Sequence, residues 1–302
     1  MGCRVARQIA VALSGAALLS LGCLSPLHAQ DQQPPAAPQP APQAQAPELF
    51  KLSGSCSAPD ATVSSLAPLP ALAEILQQRS TVRVLAVGNW ISAGLGGQHR
   101  FTDELEEILE RSIKGLDLVF THRGISGERA AVTAERIKEE IGLLDPDLVL
   151  WQVGTYDALA HVPVSEFEAT LSAAVDWIKA HKKDLVLVGL QYSTALSKNA
   201  HYRDIKDAVS RVAASHNVLV VRRYEAVQFI ATASREQSKL AKDEFLMTEL
   251  GYKCMAEHIA RALVVNVFAR RGANSAAGKV AGGVIPSKSP TPAADPAALP
   301  NK

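Results

Sequence analysis

The chain has 302 residues, a net charge of +1 and a composition that is 47% hydrophobic but only 5% aromatic. That length suits one large α/β domain or two small ones, with a core built mainly from Ala, Val, Leu and Ile. Phosphate backbones are gripped by clustered Lys and Arg, so the near-neutral charge excludes nucleic acid as a partner.

The amino terminus reads as an export signal. Arg4 and Arg7 form a basic start, residues 9–24 are apolar, and Leu27-His28-Ala29 offers a cleavage site before Gln30. The apolar run is short and rich in Ala and Gly, which favours a signal peptide over residues 1–29 rather than a membrane span. Ser20-Leu21-Gly22-Cys23 resembles a lipobox without its leading Leu, so lipidation at Cys23 stands beside ordinary cleavage. Either route predicts a periplasmic or secreted protein with no membrane span once the signal is removed. Residues 30–49 are rich in Pro, Ala and Gln and read as an extended, disordered linker. Residues 272–302 carry Gly, Ala, Ser and Pro with little periodicity and read as a disordered tail. The folded domain is thus expected over residues 50–271. Its cysteines are Cys56 and Cys254, which an oxidising compartment would join in a disulfide. The alternative is two buried free thiols.

Within the domain, strand and helix periods alternate. Residues 82–87 (VRVLAV) predict a buried strand and residues 101–113 a helix with Leu105, Ile108, Leu109 and Ile113 on one face. Residues 116–121 predict a second strand, and residues 131–144 a helix that stops before Asp145-Pro146. Residues 147–153 (DLVLWQV) are a third strand, followed by a helix over 164–181 opened by a Ser165/Glu168 capping box. Residues 184–191 and 218–223 complete five strands, with helices over 199–215, 225–235 and 249–269. Apolar strands alternating with helices imply a three-layer α/β/α fold around a five-stranded parallel sheet. In such sheets the working site lies at the carboxyl ends of the strands.

At those ends stand Gly88-Asn89-Trp90, then His122-Arg123-Gly124, then Gly154-Thr155-Tyr156-Asp157, and finally Asp243-Glu244-Phe245-Leu246 ahead of the last helix. Spacing, order and flanks (VRVLAVG, RGISG, DLVLWQVGT, LGYKCMAEHIA) resemble the SGNH, or GDSL-type, hydrolases, esterases with a flavodoxin-like fold. That family carries GDS, N-x-G, G-x-N-D and D-x-x-H at these four places. The resemblance covers residues 82–263 and implies an ester-cleaving ancestry.

Against that pattern the chemistry is missing. Trp90 stands where the family has its nucleophilic serine, Tyr156 where it has the oxyanion-hole asparagine, and Leu246 where it has the histidine. Gly124 and Asp243 match, while His122 replaces an asparagine. An indole carbon cannot attack an ester and an isobutyl side chain cannot take a proton. In serine hydrolases, losing the nucleophile or the base costs about a millionfold. The resemblance therefore implies a degenerate member. Its former cleft would hold a small-molecule or glycan ligand (acylated or ester-like) or an envelope partner, with Trp90, Tyr156 and His122 as the candidate binding residues. Aromatic faces at such a cleft suit sugar rings. The alternative is an active esterase with a rebuilt dyad, Ser92 or Ser126 beside His122. No cofactor is called for, and His122, His161, His181, His201, His216 and His258 lack metal-ligand spacing.

Overall fold

The computed structural model describes residues 50–78, 81–88, 101–113, 115–233 and 249–281. The first elements are short helices, α1 (Asp60–Val63) and α2 (Pro70–Gln78). The central run follows as β1 (Thr81–Gly88), α3 (Phe101–Ser112), β2 (Asp117–Gly124), α4 (Ala130–Leu144), β3 (Leu148–Gln152), α5 (Thr155–Leu159) and α6 (Val164–Ala180). The last elements are β4 (Asp184–Val188), α7 (Ala200–Ser215), β5 (Leu219–Val221), α8 (Arg223–Ala233) and α9 (Glu249–Ala281).

The five strands pair in parallel in the order β2-β1-β3-β4-β5. This is the flavodoxin-like order, and the chain reverses direction across the sheet between β1 and β3. Strand residues alternate between two cores. Leu85, Val87, Val149, Trp151, Leu185 and Leu187 face the layer of α4, α6 and α7. Val84, Ala86, Leu148, Leu150, Val186 and Val188 face the layer of α2, α3 and α9. Burial on both faces is why these strands read as unbroken apolar runs.

Local chemistry moves several boundaries. α6 begins at Val164 with Pro163 at its cap and no side-chain cap, so Ser165 and Glu168 do not form the expected box. Glu168 instead pairs with Arg211 of α7 at 2.6 Å. β2 continues to Gly124 because it stays in register with β1 through Gly88, so His122 and Arg123 belong to the strand rather than to the loop after it. β5 stops at Val221, and Arg223, read from the sequence as strand, opens α8. α9 runs past residue 271 to Ala281. His258 is buried.

The segment before β1 is strapped along α9. Cys56 and Cys254 form a disulfide across 198 residues. Buried Glu257 accepts from the Ser53 amide at 2.7 Å, and His258 Nε2 lies 2.8 Å from the Cys56 carbonyl oxygen. Burial pushes the His258 imidazole below the usual histidine range, which suits a neutral ring donating that hydrogen bond. Arg261 grips Asp60 with two nitrogens at 3.0 and 2.9 Å, and Asn266 accepts from the Ala67 amide at 2.8 Å. Ser64 bridges Val221 in antiparallel fashion, so the strap also covers the free edge of β5.

One buried acid ties α2 to the sheet. Asp184, at the start of β4, accepts from the amides of Leu72 and Ala71 in the first turn of α2. Burial pushes its carboxyl up to about 6 against those two hydrogen bonds. The folded state therefore holds this proton more tightly than the unfolded chain. The resulting stability is fully present below about pH 4 and is lost as pH rises through 6.

Three outcomes are expected. Asp184→Asn, whose amide oxygen can still accept from Leu72, should gain about 2–3 kcal/mol over the parent chain at pH 7 and none at pH 3.5, read by urea denaturation at both pH values. Reduction of the Cys56–Cys254 bond should lower stability by up to about 4–5 kcal/mol in the same assay. Thiol titration of the denatured, unreduced chain should find neither of these cysteines free.

Candidate functional site

The carboxyl edge of the sheet is shaped first by two glycines. Gly88 ends β1 at φ 105°, and a methyl group there would lie 2.2 Å from the Gln152 carbonyl oxygen at the end of β3. Gly154 follows β3 at φ 98°, and a methyl group there would lie 2.5 Å from Leu190 Cδ1. Any other residue would clash and sit in the disfavoured left-handed region. These are the first residues of the first and third blocks, so the backbone geometry at the switch point between β1 and β3 is fixed by sequence.

The second block follows Gly88 closely, with the Ile125 amide donating to the Gly88 carbonyl at 3.1 Å. Gly124 lies at the last position of β2, paired with Gly88. Half-buried His122 has Nε2 3.2 Å from Thr102 Oγ1 of α3, and its ring stacks near Phe120 at 6.2 Å between centroids. The loop beyond is braced by Arg136 of α4, which binds both the Arg123 carbonyl and the Glu128 carboxylate. Burial works against the Glu128 charge, yet hydrogen bonds from Arg136 and Thr133 hold its carboxyl below the usual range.

The third block is carried on α5. Tyr156 is half-buried in the first turn, with its Oη 3.1 Å from Ser126 Oγ in the second-block loop. Among the described residues neither hydroxyl has another hydrogen-bond partner. The contact joins two of the blocks, but it couples Ser126 to a phenol and not to His122. Asp157 turns inward, is 3% exposed, and accepts from the Ala130 amide at 2.9 Å. It thus caps the start of α4, at the positive end of the helix dipole. Burial raises its carboxyl above the usual aspartate value, a rise that the hydrogen bonds to backbone amides limit. A small recess beside these groups is lined by Glu128, Thr133, Trp151, Gln152, Tyr156 and Asp157.

The structure therefore brings Gly124, Ser126 and Tyr156 to one edge, with His122 in the adjoining strand. Trp90, Ser92, Asp243 and Leu246 lie outside the described residues. Among those described, no group of three or more His, Cys, Asp or Glu side chains is placed to hold a metal, and no helix is long and apolar enough to cross a membrane. The role of Asp157 as a helix cap was hidden in the sequence, because its partner Ala130 is 27 positions away.

Residues 55–269 match the Non-GDSL lipase-like family. The chain belongs to that family. Its fold is that of the SGNH hydrolases. The acetylxylan esterase Axe2 from Geobacillus stearothermophilus superposes with a TM-score of 0.52 at 20% identity, over 60% of this chain and 94% of that one. The psychrotrophic esterase EstA from Pseudoalteromonas sp. gives a TM-score of 0.47 at 17% identity, over 64% of this chain and 98% of that one. At 20% identity, the likeness to Axe2 is one of fold. No curated protein matches the chain.

Asp157→Ala leaves a buried Ala130 amide without an acceptor and should cost about 1–3 kcal/mol. Asp157→Asn, which keeps an acceptor, should cost clearly less. Urea midpoints of the two variants at pH 7 check the order.

Proposed function

We propose that this chain is a non-catalytic member of its family, exported to the periplasm or cell envelope, whose former active-site cleft holds a ligand or partner. The carrying observation is the Tyr156–Ser126 contact. Where the family pattern has an asparagine amide to stabilise an oxyanion, a bulkier phenol stands, and its hydroxyl is engaged by a neighbouring hydroxyl. A serine hydroxyl becomes a useful nucleophile only when a base takes its proton. The hydrogen bond seen at Ser126 leads to a phenol rather than to an imidazole or carboxylate. Trp90 and Leu246, at the serine and histidine positions of the sequence pattern, support the same reading.

Export is supported by the leader-like amino terminus and by the Cys56–Cys254 disulfide, a bond typical of oxidising compartments. Acylated glycans and related esters are the natural ligand class. Axe2 acts on acetylxylan, and Trp90 with Tyr156 and His122 would give a cleft of aromatic surfaces with polar edges.

Mature protein assayed against a short-chain nitrophenyl ester should show no turnover above buffer. Turnover that disappears in Ser126→Ala or Ser92→Ala would overturn the proposal in favour of an esterase with a rebuilt dyad. Tryptophan fluorescence should respond to acylated oligosaccharides in the parent chain and not in Trp90→Ala.

A further inference from the structure

Arg223 is the first residue of α8 and stands two positions beyond the end of β5, on the same sheet edge as the family blocks. It is only 4% exposed. A guanidinium taken out of water needs a counter-charge or a full set of acceptors. Among the described residues Arg223 has neither an ion pair nor a side-chain hydrogen bond. The acid two positions on, Glu225, is bound to Lys206 at 3.2 Å. The titratable side chains near enough to act on it electrostatically are Tyr202 and Tyr252. Burial accordingly pulls its pKa down to about 10, against the pull of those two tyrosines. The amino end of α8 adds the positive pole of a helix dipole at the same spot. Two positive features thus converge in a buried place where, among the described residues, no carboxylate is paired with the guanidinium.

The surroundings tie this place to the cleft. The Tyr202 hydroxyl donates to the Gln191 carbonyl at 2.6 Å and is hydrogen-bonded by the Thr155 hydroxyl. Thr155 immediately precedes Tyr156. Tyr252 lies in the first turn of α9, just after the stretch that carries the fourth block. Arg223 is therefore linked through Tyr202 to Thr155 at the start of α5, which carries the third block, and through Tyr252 to the first turn of α9.

We propose that Arg223 anchors an oxyanion, so that the ligand of the cleft carries a carboxylate or phosphate group that docks between Tyr202 and Tyr252. The planar fork of an arginine suits both groups, which can accept two parallel N–H bonds. The Tyr252 hydroxyl adds a donor, and the dipole of α8 favours the negative charge. The inference rests on the reading of the cleft as a binding site and not on the loss of catalysis. Ester turnover would remove the non-catalytic reading and leave this one standing.

The test titrates the full mature chain with inorganic phosphate and, separately, with methyl glucuronide. Ionic strength is held constant with chloride, and binding is read by thermal melting and calorimetry. Saturable stabilisation beyond the chloride control is expected from at least one of them. A response to phosphate alone assigns a phosphorylated ligand, and a response to the glucuronide alone an acidic sugar. Arg223→Met should weaken that binding roughly tenfold or more. In chloride it should melt no lower than the parent, because no internal pair is broken. Arg223→Lys, which keeps the charge but loses the fork, should retain part of the affinity. The proposal is overturned if neither anion stabilises the parent beyond chloride, or if Arg223→Met responds as the parent does. It is also overturned if Arg223→Met fails to fold, or if Asp243→Asn or Glu244→Gln lowers the melting temperature as a broken ion pair would. Those last results would mean that the guanidinium is held by the chain itself.

Discussion

At the carboxyl edge of the sheet the backbones of β1 and β3 approach so closely that no side chain fits between them. The Gln152 carbonyl fills the space that any β-carbon on Gly88 would need. The described part of the candidate site is arranged around that contact. It fixes where β1 ends and where β2 can turn away at Gly124, since the two glycines are paired. It also sets where the chain leaves β3 to form α5, because Gly154 must pass Leu190 just as tightly. The positions that carry chemistry in the family pattern are the residues just beyond these turns. A fold can therefore keep the turn glycines, and with them the outline of a cleft, while the side chains that worked in it change.

That division explains what the sequence could and could not disclose. The sheet was legible because strands buried on both faces must be apolar at every position, as in residues 148–151 (LVLW). The glycines were legible because they are needed by backbone geometry, which the chain encodes one residue at a time. The disulfide followed from cysteine counting. Ser165, by contrast, looked like a cap and is not one, because Pro163 already sets the entry to α6. The caps that matter are supplied from afar: Asp157 serves α4 and Asp184 serves α2, the latter across 112 positions. No local pattern announces a partner of that kind. Arg223 was hidden for another reason. Its two-arginine run at the end of β5 resembles the polar end of a strand, and only the fold shows that the second arginine is buried.

Most of the structural supports come from residues outside the four blocks. Both cores lie beneath the helical layers, and α9 is fastened to the amino-terminal strap by Glu257, His258, Arg261 and Asn266. None of these residues belongs to the four blocks. Asp157 is the exception, since it keeps the aspartate of the third block and works as the cap of α4. That contact gives a physical reason for an aspartate at this place. It would be needed for folding whether or not the cleft performs any reaction.

The disulfide also decides how the molecule bears load. Cys56 lies before the first strand and Cys254 near the start of the final helix, so the whole sheet is enclosed in one covalent ring. Tension applied between the two ends of the chain passes through the sulfur bridge and bypasses every strand. For a protein tethered at one terminus and pulled at the other, the hydrogen bonds between strands would carry no force. Only the stretches outside the ring, before Cys56 and after Cys254, would be stretched. A domain built this way can serve as an inextensible link while its sheet stays in shape.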